Sequence, residues 1–383
     1  MTPAARADAA IAILDRILAG QPAEAALLRW SRASRFAGSG DRAAVRDLVF
    51  DSLRRLRSRA ALGGARSGRG LMLGLCREEG TDPDTIFTGD RHAPPPLSET
   101  ERAGGQPPDA EAALDLPGWI LPAWRAALGR DAEAVALAMR DRAPVWLRVN
   151  LHRAEPAAAA AALAEEDIAA ESHAELPSAL RVTRGARRLS GSRAWREGLV
   201  ELQDLSPQMA CAQLPAHGSL LDFCAGGGGK ALALAARGAG PVTAHDIDAG
   251  RMTDLPARAG RAGLRIRIAA PGKVTGRFDT VVADVPCSGS GTWRRTPDAK
   301  WRLTPGDLQR LLGLQAGILD QAAGFVAPGG HLAYMTCSLL TAENEDQLAA
   351  FLAHNPQFEE ILQRRYSPLT ASDGFYLALM RRR

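Results

Sequence analysis

The sequence predicts a doubly wound α/β domain over residues 210–383, preceded by an all-α domain at 1–138 and a small α+β domain at 139–209. Three observations carry this. From about residue 210 short apolar runs alternate with helical stretches, the pattern of a parallel sheet wrapped by crossover helices. Before residue 64 apolar residues recur only at helical spacing: Ile11, Leu14, Ile17 and Leu18, then Val45, Leu48, Val49, Leu53 and Leu56. Between these regions, strand-like pieces at 145–150, 180–183 and 199–202 surround an alanine-rich helix at 156–166. The length, 383 residues, allows two or three domains. The stretch 88–118, with prolines at 94–96 and 107–108 and glycines at 104–105, reads as a loop.

Within the third region the expected order is as follows. A strand at 219–223 meets a glycine-rich turn and a helix at 231–237. A strand at 241–246 precedes a helical stretch at 251–262. A strand at 280–283 ends at Asp284, and a long helix covers 308–323. The run Val326-Ala-Pro-Gly-Gly330 reads as a turn into a strand at 331–335. A helix at 343–353 and a closing strand at 375–380 follow. This is a Rossmann-like arrangement, whose site lies at the carboxyl ends of the strands.

Composition narrows the function. Hydrophobic residues make up 46% and charged residues 23%, the balance of a globular protein. No apolar run is long enough to cross a bilayer. Asp8 and Asp15 interrupt the first apolar stretch, which does not suit a secretory signal. A cytoplasmic, monomeric protein without membrane contact is expected. The net charge is +4, with lysine only at 230, 273 and 300, so arginine supplies nearly all the positive charge. Six arginines (181, 184, 187, 188, 193 and 196) fall in a sixteen-residue stretch with no acid, which suits phosphate contacts and points to RNA. The cluster Arg42, Arg46, Arg54, Arg55, Arg57 and Arg59 fits a solvated helix face as readily as an RNA contact. Five cysteines (76, 211, 224, 287 and 337), never spaced Cys-x-x-Cys, argue against a disulfide framework or a metal knuckle, and no metal is expected.

The turn Asp222-Phe-Cys-Ala-Gly-Gly-Gly-Gly-Lys230 lies between a strand and a helix. A phosphate-binding Walker loop needs glycine and Ser/Thr where Cys224 and Ala231 stand, and Ala231 also replaces the last glycine of a dinucleotide fingerprint. Asp246 ends the next strand, 24 residues after Asp222, where an acid can accept from both ribose hydroxyls. A turn without a phosphate cradle, plus a ribose acid, fits S-adenosylmethionine better than NAD. Farther on, Asp284-Val-Pro-Cys-Ser-Gly-Ser-Gly291 follows one strand and Thr336-Cys-Ser338 another, so Cys287 and Cys337 should face one crevice. Spacing alone does not say which thiol is the nucleophile.

These motifs, with Trp293-Arg-Arg-Thr-Pro-Asp-Ala-Lys-Trp-Arg-Leu-Thr-Pro305 and Glu343-Asn-Glu345, resemble the Nol/Nop/Sun family of RNA 5-methylcytosine methyltransferases. Pro144-Val-Trp-Leu-Arg-Val-Asn150 and Leu202-Gln-Asp-Leu-Ser-Pro-Gln208 look like that family's preceding RNA-binding subdomain. Residues 4–63 look like the NusB-type helical domain of its bacterial Sun (RsmB) branch. The resemblance implies methylation of a cytosine in 16S ribosomal RNA. It makes Cys337 the nucleophile, Cys287 the residue assisting release, and Asp284 the group near N3 of the base. It places S-adenosylmethionine against Cys224, Ala225, Gly226, Gly227, Gly228, Gly229, Lys230, Asp246, Arg251 and Asp284. Two departures stand out. Gly227 replaces a proline, which should loosen the loop, and Ile266-Arg-Ile-Ala-Ala-Pro271 lacks the acid usual near the adenine. Alternative readings are an RNA-binding assembly factor with a degraded cofactor site, or a tRNA methyltransferase.

Overall fold

The computed structural model describes every residue except Ala239 and divides the chain into two units: Met1–Arg142 with Thr292–Thr304, and Ala143–Gly291 with Pro305–Arg383.

The first unit is helical, with principal helices Pro3–Leu18, Ala23–Ala33, Ser39–Arg54, Leu56–Gly63 and Gly68–Glu79. Thr2 caps the first by accepting from the Ala5 amide at 3.1 Å. The apolar stripes expected from the sequence meet here: Ile13, Leu14 and Ile17 are buried against Val45, Val49, Leu53 and Leu56. Helices Leu56–Gly63 and Gly68–Glu79 touch backbone to backbone, because a Cβ on Gly74 would lie 2.0 Å from the Arg59 carbonyl oxygen. Two members of the arginine cluster of this region, Arg54 and Arg59, are internal, whereas Arg42 and Arg46 are exposed. Arg59 is wholly buried and pairs with Asp51 at 2.5 Å and Glu78 at 2.8 Å.

Sequence order places residues 292–304 inside the third region, yet in space this strip belongs to the helical unit. Trp293 stacks on Trp124 with ring centroids 6.2 Å apart, and both rings are buried. Arg54 Nε donates to the Arg294 carbonyl at 2.7 Å, and Trp301 Nε1 donates to the Leu53 carbonyl at 2.6 Å. The Ala23 amide, at a helix start, donates to Asp298 at 3.2 Å. Lys300 is buried with its Nζ 3.2 Å from the Arg54 carbonyl. Burial pulls the Lys300 ammonium down to about 7 against the opposing pull of Asp115, whose own carboxyl burial pushes up.

The second unit holds two sheets. The smaller consists of β1 (Val145–Val149), β2 (Ala169–Ser172), β3 (Ala179–Arg184) and β4 (Val200–Leu202) in the order β2-β3-β1-β4, all antiparallel. Helices Pro156–Ala164 and Arg193–Arg196 contribute to its core. The larger sheet contains β5 (Leu220–Asp222), β6 (Val242–His245), β7 (Ile266–Ala269), β8 (Phe278–Asp284), β9 (Val326–Thr336), β10 (Phe358–Tyr366) and β11 (Phe375–Arg382), in the order β10-β11-β9-β8-β5-β6-β7. Strands β7, β6, β5, β8 and β9 are parallel, with a separate core on each face.

Three expectations need correction. The closing strand β11 runs antiparallel to β9, and β10, whose charged alternation Glu359-Glu-Ile-Leu-Gln-Arg-Arg365 hides an edge strand, pairs with it. The expected turn at 326–330 is instead the start of β9, where the ladder to β8 shifts between Phe278 and Thr280 and Gly329 adopts φ +75°. The long helix begins at Pro305, because proline is well accommodated in a first turn.

Between about pH 7 and 10.5 the unfolded chain holds a proton on Lys300 that the folded chain has released. Stability should therefore rise with pH across that window, by up to about 1.4 kcal/mol per unit. Lys300→Met should flatten the rise. Urea unfolding at pH 7, 8 and 9 measures both, and a flat profile for the native protein would refute the assignment.

Candidate active site

The carboxyl ends of β5, β6, β8 and β9 carry the candidate residues. After Asp222 the chain turns through the glycines into helix Gly229–Ala236. Two positions need glycine for conformation: Gly226 at φ +51° and Gly228 at φ +78°, where a Cβ would also fall 2.3 Å from Leu255 Cδ1. Gly227 has no such requirement. The turn is anchored at successive residues. The Ala225 amide donates to the His245 carbonyl at 2.9 Å, the Gly226 amide to Asp246 Oδ2 at 2.9 Å, and the Gly228 amide to the Ala225 carbonyl at 2.8 Å. Arg258 donates to the Gly227 carbonyl. These bonds anchor the turn on both sides of Gly227.

Asp222 lies at the helix start, with Oδ2 accepting from the Ala231 amide at 3.0 Å. Its Oδ1 is buried without a partner, and burial pushes the carboxyl up to about 7. Cys224 is half-buried, its thiol pushed up to about 12 by burial, so it is no nucleophile near neutral pH. Lys230 forms an ion pair with Asp284 across the mouth of the sheet, and its ammonium lies 5.3 Å from the Phe375 ring centroid. Burial would lower the Lys230 ammonium, but Asp284 and its neighbours hold it above its ordinary value. Asp246 is 2% exposed. Its Oδ1 accepts from the Asp248 amide at 3.0 Å, and its Oδ2 lies 3.2 Å from Arg251 as well as bonding Gly226. The next residue, Ile247, is 80% exposed. Sequence reasoning passed over it, although an isoleucine between two aspartates in a turn is an apolar side chain with no core to fill.

Strands β8 and β9 pair in parallel as far as Asp284 opposite Met335, and the Val285 amide donates to the Met335 carbonyl at 3.0 Å. Just beyond, Cys287 Sγ and Cys337 Sγ stand 3.3 Å apart, both half-buried and not joined in a disulfide. The Cys337 sulfur, and then burial, hold the Cys287 thiol well above its ordinary value. One proton can be shared between the two sulfurs, with either as the donor.

Behind the thiols lies a buried polar cluster whose role no sequence motif reveals. Glu343 is fully buried and accepts from the Ser288 amide at 2.7 Å, from Gln315 at 3.0 Å, and from the hydroxyls of Ser288 and, at 2.5 Å, Ser338. Asn344 accepts from Thr336 at 2.6 Å and donates to the Ser338 carbonyl at 3.0 Å.

The basic stretch 181–196 is less exposed in charge than its sequence suggests. Arg188 pairs with Asp167 at 2.6 Å and Arg193 with Glu165 at 3.3 Å, so acids at the end of helix Pro156–Ala164 answer two of the six. Arg181, Arg184 and Arg196 are exposed. Among the described residues no group of three or more His, Cys, Asp or Glu side chains is placed to hold a metal, and no helix is long and apolar enough to cross a membrane.

A family model described as "16S rRNA methyltransferase RsmB/F" matches residues 210–381, and one described as a "Methyltr_RsmF/B-like, ferredoxin-like domain" matches 116–187. The second overlaps the expected 139–209 domain without sharing its limits. Two proteins named ribosomal RNA small subunit methyltransferase B are similar to the chain. That of Cronobacter sakazakii is 35% identical over 251 residues, 63% of this chain and 58% of the relative. That of Sodalis glossinidius is 37% identical over 296 residues, 69% of this chain and 65% of the relative. The match thus spans less than two thirds of each relative's length. The crystal structure of PH0851 shares the fold, with TM-score 0.75, 22% identity and 99% coverage of both chains.

The contrast between two neighbouring glycines tests the turn. Gly228→Ala should destabilise the protein by about 1–3 kcal/mol, because it forces a side chain into the left-handed region. Gly227→Ala meets only a movable guanidinium 3.0 Å away and should cost less than about 1 kcal/mol. Urea unfolding of the two variants compares them directly, and equal losses would refute the geometry.

Proposed function

Because the chain belongs to the RsmB/F family of methyltransferases, we propose that it transfers a methyl group from S-adenosylmethionine to carbon 5 of a cytosine in RNA. We take 16S ribosomal RNA as the substrate and a covalent adduct at carbon 6 as the route. The observation that carries the reading is the pair of thiols, 3.3 Å apart, at the carboxyl ends of adjacent parallel strands beside the glycine turn.

The residues around the turn fit the donor. The unpartnered Oδ1 of Asp222 would be satisfied by an ammonium such as that of a methionine moiety. Asp246, with Arg251 beside it, would serve the ribose hydroxyls. The exposed Ile247 offers an apolar surface to adenine, a substitute for the acid absent from 266–271. Residues 224–230 form the close backbone approach, with Lys230 and Asp284 bounding it. When bound, the donor supplies an electrophilic methyl group.

Carbon 5 of cytosine is too poor a nucleophile to attack such a methyl unaided. Addition of the Cys337 thiolate to carbon 6 forms a sulfur–carbon bond and turns the ring into an enamine, whose carbon 5 can attack. The Lys230–Asp284 ion pair would supply the proton that N3 takes up in this addition, passed from the ammonium through the carboxylate. A water at the site then takes the carbon 5 proton, that electron pair restores the ring double bond, the sulfur–carbon pair returns to Cys337, and the N3 proton goes back to the Lys230–Asp284 pair. Cys287 serves this release. The assignment of the nucleophile to Cys337 and not Cys287 follows the family resemblance, since two sulfurs 3.3 Å apart share their titration.

Cys337→Ala should abolish transfer, whereas Cys287→Ala should accumulate a protein–RNA adduct that survives denaturing gels. Full turnover by Cys337→Ala would overturn the assignment of the nucleophile. Exposed arginines of the small sheet and the segment after it would meet the phosphate backbone. Replacing Arg181, Arg184 and Arg196 with glutamine should lower the log–log salt slope of RNA binding by about 0.7 for every phosphate no longer neutralised. An unchanged slope would place the RNA elsewhere.

A further inference from the structure

We infer that Glu343 is a positioning residue for the reaction: its buried carboxylate ties the Cys287 loop to the Cys337 loop and so sets the distance between the thiols. The inference rests on the roles proposed above for the two cysteines.

Strand pairing alone does not fix that distance. The β8–β9 ladder ends at Asp284 and Met335, three and two residues short of the cysteines. Beyond it the loops leave the sheet, and what joins them is polar. Glu343 Oε1 accepts from the Ser288 amide at 2.7 Å and from Gln315 Nε2 at 3.0 Å. Oε2 accepts from the hydroxyls of Ser288 and Ser338, the latter at 2.5 Å. Ser288 and Ser338 are the residues immediately after the two cysteines. Two further bonds lace the loops together: Ser290 Oγ lies 3.0 Å from Ser338 Oγ, and the Gly291 amide donates to the Cys337 carbonyl at 2.9 Å.

A carboxylate removed from water is costly unless its lone pairs are answered. Glu343 is 0% exposed and has four donors, so slippage of either loop leaves a buried oxygen short of a partner. That penalty locks the register of the loops. A general-base role for Glu343 is unsuitable, because both oxygens are occupied by the scaffold and neither reaches solvent. The thiols themselves are half-buried, unlike the carboxylate behind them. Glutamate suits the position through its acceptor-only carboxylate, which answers an amide and two hydroxyls at once. Glutamine can keep part of this, since a serine hydroxyl can reverse and accept from an amide.

The test uses the full chain with Glu343→Ala and Glu343→Gln. Thiol proximity is read without RNA or donor, as the rate at which diamide links Cys287 to Cys337, followed by mass spectrometry of the cross-linked peptide. The native protein should link readily, Glu343→Ala at least about tenfold slower, and Glu343→Gln within about threefold of native. In single-turnover methyl transfer Glu343→Ala should lose on the order of 100-fold in kcat, the cost of about 1 Å of misplacement. KM for RNA and calorimetric affinity for S-adenosylmethionine should stay within twofold, and Glu343→Gln should recover most of the loss. Should Glu343→Ala not fold, Ser338→Ala, which removes one arm of the bridge, takes its place with the same readouts. Linking at the native rate in both variants would overturn the inference. So would a uniform loss of kcat, KM and donor affinity that Glu343→Gln does not restore. Absence of transfer by the native protein, with linking still dependent on Glu343, would sink the proposed reaction and leave the positioning role standing.

Discussion

Parallel pairing of β8 with β9 is the constraint on which the site depends. Two cysteines fifty positions apart in sequence reach the same edge of the sheet because the strands that deliver them are neighbours running the same way. A parallel pair delivers both of its following loops to the same edge, whereas an antiparallel pair sends them to opposite edges. The same rule places Asp222 and Asp246, at the ends of β5 and β6, on that edge with the thiols. The antiparallel strands β10 and β11 contribute little to the chemistry and much to closing the sheet beside β9.

The candidate site was legible in the sequence wherever chemistry and backbone demand coincide. Asp222, the glycine turn, Lys230 and Asp246 announce themselves because a strand, a conformationally free turn and an acid at the next strand end form a local pattern. The thiol pair was legible once the strand order was inferred. What the motifs leave unassigned depends on contacts between distant segments. Glu343 stands in the sequence as part of the Glu343-Asn-Glu345 motif, but nothing local gives its role or says that it faces serines 55 and 5 residues away. Ile247 was overlooked for the opposite reason: its meaning lies in having no neighbours to pack against.

Charge was the least reliable guide. The six arginines of 181–196 contain no acid among them, but Asp167 and Glu165, brought close by the turn of the chain, answer two. Of the earlier arginine cluster, Arg54 and Arg59 are buried and serve as internal braces. Arg148, in a motif that resembles an RNA-binding subdomain, is buried in β1, and burial draws its guanidinium down to about 10. The neighbouring Asn150 spends its amide on the carbonyls of Gly198 and Ala262, at 2.9 and 2.8 Å. Linear charge density measures composition, and only folding decides which charges remain available to a polyanion.

The strip Thr292–Thr304 separates connectivity from architecture. It leaves the loop of Cys287, supplies Trp293, Lys300 and Trp301 to the interior of the helical unit, and then returns to the long helix at Pro305. No single cut in the gene can therefore part the two units cleanly. An exchange of N-terminal regions between related proteins must also transplant these thirteen residues from the middle of the recipient, or strand a tryptophan cavity in one partner and an orphaned aromatic strip in the other. A cut at residue 142 alone would leave the helical unit without the Trp293, Lys300 and Trp301 that fill its interior.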